Sequence, residues 1–239
     1  TVRRSRRLSS TTFRIFWGGT LFESVSRQEI YRYLGYRGNQ PGAAVCALVE
    51  DCLAEVDRAA VPRQVSARVP VRAEGDTVLL GELPVESRAL AKHLRDCPEA
   101  FLFAATLGPG VDQLLRRYGR LQVSRAAVIQ AVSAAVIEDW CDRCQQALAD
   151  GLGPGWSLRS RFSPGYGDLP LAFQRPLLDA LQADRRIGIG LTDTLLMTPS
   201  KSVSAIIGIR CGETETGGKC AGCGSISCPY RQENRGGNT

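Results

Sequence analysis

From Ser26 onward the apolar positions fall into helical and strand rhythms. Ser26-Arg27-Gln28-Glu29 has the spacing of a capping box, in which the serine caps the amide three residues on and the glutamate reaches back. It predicts a short helix through Tyr33, stopped at Gly35. After a glycine-rich turn, Val45, Leu48, Val49, Cys52, Leu53 and Val56 recur at steps of three and four, the single apolar face of a helix closed by Pro62. The period then drops to two. Val65, Ala67, Val69 and Val71 alternate with Ser66, Arg68 and Pro70, as expected of a half-exposed strand near a sheet edge. Glu74-Gly75-Asp76 turns the chain, and Thr77 to Leu80 is the hairpin partner.

Further on, the pattern predicts a helix from Glu86 to Asp96 and a buried strand from Phe101 to Thr106. The longest helix runs from Ser124 to Ala149, with Ile129, Val132, Val136, Trp140, Cys144 and Ala147 along one side. Gly151 to Gly155 is read as loop, and Arg159 to Pro170 holds too much Gly and Pro for a regular element. A helix from Ala172 to Ala183 and strands at Ile187 to Leu191 and Val203 to Ile209 follow. A hairpin, separate strands and helices without regular alternation predict an α+β fold. The chain divides into a basic leader (1–23) expected to be disordered, one α+β domain (24–210), and a Cys/Gly-rich tail (211–239).

Composition changes this picture little. With 239 residues, 44% of them hydrophobic, the chain buries roughly three quarters of its unfolded surface without a covalent or metal staple. The net charge of +6 is concentrated at the start: Arg3, Arg4, Arg6, Arg7 and Arg14 precede any acid, and the remainder carries 25 basic against 24 acidic residues. A like-charged terminal run is read as solvated leader, so neither a nucleic-acid nor a membrane partner is expected. Nine cysteines, an odd number, suit a reducing compartment, and the expected location is cytoplasmic.

The cysteines also carry the first candidate chemistry. Cys220, Cys223 and Cys228 form a C-x2-C-x4-C run with Cys211 nine positions earlier, enough thiolates for zinc or an iron–sulfur cluster. The same thiols could equally be reduced and metal-free. Trp140-Cys141-Asp142-Arg143-Cys144 imitates a redox motif. It falls inside a helix, away from the N-terminal dipole that lowers a thiol pKa, and is read as core packing. Gly217-Gly218-Lys219 fails as a phosphate loop because Glu213 and Cys220 stand where Gly and Ser/Thr are required. His93, the one histidine, is read as exposed and non-catalytic beside Lys92 and Arg95.

The last candidate is the loop Arg161-Phe162-Ser163-Pro164-Gly165-Tyr166, with Leu191 to Pro199 and Ser202-Val203-Ser204 downstream. An arginine can clamp a carboxylate with two parallel N–H groups, a Gly/Pro loop lets backbone approach a ligand, and a tyrosine offers a ring and a hydroxyl. Such a set suits a zwitterionic, adenosyl-type ligand; a rigid structural turn uses the same residues.

In these stretches the chain resembles the activation domain of vitamin B12-dependent methionine synthase. The shared pattern is Arg161, Pro164 and Tyr166, then Pro170, Leu191-Thr192-Asp193-Thr194, Met197, Pro199 and Ser202-Val203-Ser204, in the same order. The likeness is strong over residues 100–210 and weaker over 24–99, and the chain is read as a free-standing, short form. Two departures stand out: Gly155 replaces an acid six positions before the arginine, and a tyrosine pair beyond the Ser-Val-Ser strand is absent near Arg210.

The resemblance implies a twisted antiparallel sheet with flanking helices and a site for S-adenosylmethionine at Arg161, Ser163, Gly165 and Tyr166. There Arg161 holds the ligand carboxylate, the Ser163 backbone meets adenine, and Tyr166 shapes the site. It also implies an activation component rather than a complete enzyme. In that role the domain docks on a cobalamin-binding protein or methionine synthase, where one electron from a donor and a methyl group restore methylcobalamin. The cobalamin belongs to the partner, since His93 lies in no cobalamin-ligating motif. The Cys211, Cys220, Cys223, Cys228 set is the candidate electron relay. The alternative is a redox or metal-binding adaptor of the same fold that does not bind S-adenosylmethionine.

Overall fold

A computed structural model describes residues 10–11, 24–36 and 39–212. Its elements are β1 (Ser10–Thr11), α1 (Arg27–Tyr33), α2 (Ala43–Ala59), β2 (Arg63–Glu74), β3 (Thr77–Leu80), β4 (Leu83–Glu86), α3 (Arg88–His93), β5 (Glu99–Thr106), α4 (Pro109–Leu121), α5 (Val123–Asp150), β6 (Trp156–Leu158), α6 (Gln174–Leu181), α7 (Ala183–Ile187), β7 (Gly190–Leu191), β8 (Met197–Thr198) and β9 (Ser202–Cys211). The main sheet runs β4-β3-β2-β5-β9-β6, every pair antiparallel, with β1 also on β2; β7 and β8 form a separate ribbon. The α+β expectation holds.

Helices cover both faces of the sheet. β5 shows why: Phe101, Phe103 and Ala105 face the layer of α1, α2, α4 and α5, while Ala100, Leu102 and Ala104 face α3, α6 and α7. A strand buried on both faces reads as a continuous apolar run, and each fully buried large side chain is worth about 1.5–3 kcal/mol. β2 departs from the sequence reading. It lies inside the sheet, with Gln64 to Ala67 buried, because β1 and β3 share its outer edge. That pairing also places Ser10 and Thr11, inside the leader expected to be disordered, on Ala67 and Ser66.

Other boundaries shift as well. The segment from Glu86 to Asp96 is strand β4 followed by the six-residue α3, capped by Ser87. Helix α4 is additional. Pro109 opens it and Val111, Leu114, Leu115 and Tyr118 form its buried stripe. Gly110 is obligatory there, since a Cβ would stand 2.1 Å from the Ala59 carbonyl oxygen. The helix drawn from Ala172 to Ala183 breaks at Gln182 into α6 and α7, and the strand expected at Ile187 reduces to Gly190–Leu191. At α1, Ser26 accepts from the Glu29 amide, but the Glu29 carboxylate turns to Arg32 at 2.5 Å, leaving half of the capping box.

Candidate functional site

The loop from Ser160 to Pro170 is stitched to the sheet at one point. Phe162 and Ile206 of β9 exchange backbone hydrogen bonds of 2.9 and 2.8 Å, which puts the loop on the strand that carries Ser202-Val203-Ser204. Side chains alternate across such a bridge. Phe162 packs into the α3/α6/α7 side with Met197, whereas Arg161 turns to the α5 side.

Beyond the bridge the loop curls on itself. Ser163 gives its carbonyl to the Tyr166 amide at 3.0 Å, and the Gly165 amide donates to the Leu169 carbonyl at 2.9 Å. Gly165 has φ of +93°, which a side chain would resist. Gly167 permits contact with α3: a Cβ there would lie 2.7 Å from that of Ala89. One residue on, Asp168 caps α3, accepting from the Ser87 hydroxyl at 2.5 Å and from the amides of Arg88 and Ala89 at 3.0 and 3.1 Å. These bonds, the Ser87 hydroxyl foremost, hold its carboxyl below the ordinary aspartate range. Tyr166 stands out at 58% exposed, edge-on to Phe162 with ring centroids 6.1 Å apart.

His93 belongs to this assembly. It is half-buried rather than exposed: its Nε2 lies 2.9 Å from the Ser160 carbonyl oxygen and its ring 5.0 Å from that of Phe162. Gln174 is the other tie. Its amide donates to the Leu195 carbonyl at 3.1 Å and its oxygen accepts from Ser204 at 3.4 Å, joining the β7–β8 tip to β9. Both stretches singled out in the sequence are therefore tied to β9, the loop through Phe162 and the β7–β8 tip through Gln174.

Arg161 occupies the other face. Its side chain is only 10% exposed; Nη2 reaches Glu138 at 2.9 Å and Asp142 at 2.8 Å, and Nη1 reaches Gln145 at 3.2 Å. Burial opposes its charge, yet the surrounding acidic groups, the Cys141 thiol, Asp142 and Glu138, outweigh burial and raise its pKa above the ordinary arginine value. Tyr33 sits close enough that burial and then the Glu138 charge push its hydroxyl pKa up. Glu138, Asp142 and Gln145 escaped the sequence reading. Their spacing of four and three marks one stripe of α5, a signal present in the sequence but without a partner until the loop is folded onto it.

The cysteines divide cleanly. Cys141 and Cys144 are buried in the α5 core; desolvation pushes Cys141 far up and Cys144 up to about 12, so neither is a thiolate near neutrality. The core-packing reading stands. Cys211 is exposed at the end of β9, opposite Trp156, with a free thiol. Cys220, Cys223 and Cys228, and the Gly217-Gly218-Lys219 stretch, lie outside the described residues; among those described, no group of three or more His, Cys, Asp and Glu is placed to hold a metal. No described helix is long and apolar enough to cross a membrane. A cleft of about 790 Å³ lies between Val71, Ala73, Arg88, Lys92, Arg95 and Cys97.

No family model and no curated protein matches the chain. Among solved structures it is similar to one described as the crystal structure of the MetH reactivation domain bound to AdoHcy, with a TM-score of 0.63 and 14% identity. The likeness covers 87% of this chain and 81% of that one. At that identity it establishes the shared fold.

Proposed function

We propose that the chain is an accessory component for reductive reactivation of a cobalamin-dependent methyltransferase, methionine synthase by resemblance, which binds S-adenosylmethionine at the loop of Arg161, Ser163, Gly165 and Tyr166 and docks on the cobalamin-bearing partner. The observation that carries this reading is the Phe162–Ile206 bridge, which pairs that loop with β9, the strand that opens with Ser202-Val203-Ser204. Support comes from the fold shared with a domain solved with AdoHcy.

The residues present fit such a ligand. Tyr166 offers an exposed ring for a purine, and the curled backbone at Ser163 and Gly165 brings amide and carbonyl groups close to it. On the α5 side of β9, Arg161 is held by Glu138 and Asp142. Bound S-adenosylmethionine supplies a methyl cation, which with one electron from a donor converts the partner's oxidised cobalamin to its methylated form. The Cys211, Cys220, Cys223, Cys228 set is kept as a candidate relay, with iron and sulfide analysis of anaerobically purified protein as its test.

A second reading, the adaptor that does not bind S-adenosylmethionine, draws on the saturation of Arg161 Nη2 by this chain's own acids. Calorimetric titration with S-adenosylmethionine separates the two. Saturable binding that Tyr166→Ala weakens supports the reactivation role, and no heat of binding to the intact chain supports the adaptor. Co-purification with corrinoid proteins under reducing conditions then tests the docking step.

A further inference from the structure

We propose that the cleft between the β2–β3 hairpin, α3 and the turn from α3 to β5 is a second ligand site. It takes a phosphorylated small molecule with an apolar body, the phosphate on Lys92 and Arg95 and the body on Val71, Leu94 and Pro98. The inference goes beyond the reading above and does not depend on it: no residue of the loop from Ser160 to Pro170 lines this cleft.

Size and lining come first. About 790 Å³ falls in the range of small-molecule sites, which combine an apolar wall with a few placed polar groups. Here β2, α3 and the turn supply the apolar wall, and Arg88, Lys92 and Arg95 the cations. The cations are not equivalent. Arg88 is engaged with Asp76 at 3.2 Å, which cancels one charge of each sign. Lys92 and Arg95 are exposed and, among the described residues, neither side chain has an ion-pair or hydrogen-bond partner. Asp96 is the other acid in the lining, so the cleft presents two positive charges against one negative. An ammonium beside a guanidinium fork suits a phosphate better than a carboxylate. The phosphate brings three acceptor oxygens and a charge of about −1.5 to −2 at neutral pH, enough to engage both cations in spite of Asp96.

The walls are fixed before any ligand arrives. Ser87 and Asp168 cap α3, and Leu90 and Leu94 anchor it in the core, so Lys92 stands on a held helix. The Arg95 amide lies 3.4 Å from the Lys92 carbonyl, which continues the turn and keeps the two cations as near neighbours. Beyond them the Cys97 amide donates to the Leu94 carbonyl at 3.0 Å and the Val71 amide to the Pro98 carbonyl at 2.9 Å. Arg159 Nη2 donates to the Arg95 carbonyl at 3.1 Å. The floor and the backbone that carries Arg95 are thus tied to β2 and to the strand region of Arg159.

The test uses the intact protein and a fluorescent probe without a purine, 1-naphthyl phosphate, beside inorganic phosphate. Expected is saturable binding of the aryl phosphate, with inorganic phosphate weaker by about tenfold because it leaves the apolar wall uncovered. Replacing both exposed cations, Lys92→Ala with Arg95→Ala, should lower the affinity for the probe about tenfold. Arg116→Ala with Arg120→Ala removes the same charge from the exposed face of α4 and should leave binding unchanged. Excess S-adenosylmethionine, which carries no phosphate, should not displace the probe. Absence of saturable binding overturns the proposal, as does inorganic phosphate that binds as tightly as the aryl phosphate. An equal loss from the α4 pair would reduce the effect to diffuse charge attraction, and displacement by S-adenosylmethionine would move the probe to the loop; either result also overturns it. The ligand comparison needs no variant to fold, and failure of S-adenosylmethionine to bind at the loop would leave this site untouched.

Discussion

Two cations are buried against the same helix, and they are treated differently. Arg161 meets two carboxylates and an amide on α5 within 3.2 Å. Lys201, 8% exposed at the head of β9, has its Nζ 3.4 Å from the Gln130 carbonyl, and the nearby Asp112 carboxylate is occupied by the Ser200 amide and hydroxyl at 2.9 and 2.5 Å. Burial pushes the Lys201 pKa down, with Asp112 opposing it, whereas the acids around Arg161 outweigh burial and hold its pKa up. A planar fork can organise several acceptors at once; a compact ammonium on a long stem cannot when its surroundings supply one carbonyl. The first arrangement belongs to an organised polar site, and the second is a local cost of folding.

The sharpest way to break this contrast is Arg161→Met. Leaving two carboxylates without their cation should cost roughly 2–3 kcal/mol, less than for a fully buried pair because both acids reach water. Urea denaturation measures it, and an unchanged midpoint would reduce Arg161 to a spectator. Gly167→Ala comes next, at about 2 kcal/mol, since the new methyl meets Ala89 and the residue sits at φ of +55°. It tests whether the loop that carries Arg161 is held from the α3 side as well.

Lys201→Met should have the opposite sign, a gain of about 1 kcal/mol at neutral pH. The pH dependence follows from the lowered lysine pKa. Between the folded and the higher unfolded value the unfolded chain binds more protons, so stability rises with pH across that window. The advantage of the methionine variant is therefore full below the window and fades above the ordinary lysine range; thermal unfolding at pH 7 and pH 10.5 reads it. An advantage that does not vary with pH would place the effect in packing instead. Ser87→Ala should cost about 1 kcal/mol by uncapping α3 and releasing Asp168, and should flatten the loss of stability as pH falls through the Asp168 range. The smallest effect belongs to Tyr166→Ala. An exposed ring contributes within about 0.5 kcal/mol to stability, so any loss there is a loss of ligand affinity alone.

The same contrast explains what was legible in the sequence. Arg161 was found because its loop neighbours, Pro164, Gly165 and Tyr166, are unusual residues at fixed offsets. Lys201 drew no notice, because nothing in Pro199-Ser200-Lys201-Ser202 says that the lysine points inward. Glu138 and Asp142 have helical spacing, but nothing within α5 marks them as partners of a distant loop. Their role needed the loop, 23 positions away at Arg161 for Glu138, to fold back on them. The capping pair of Ser87 and Asp168, 81 residues apart, is likewise invisible to any local pattern.

Local periodicity determined most helices, the β2–β3 hairpin, the burial of β5, the strand at β9, and the α+β class, because each depends on how one segment presents its apolar side chains. It set β2 near an edge without the β1 and β3 pairings that cover its outer side, and it missed α4, β4 and β6, because strand position is decided by which neighbour supplies hydrogen bonds. Only the tertiary structure decided which face of β9 each loop residue meets. A single bridge at Phe162 sends successive side chains to opposite layers, so a motif that looks like one pocket on paper has its arginine on α5 and its tyrosine in solvent.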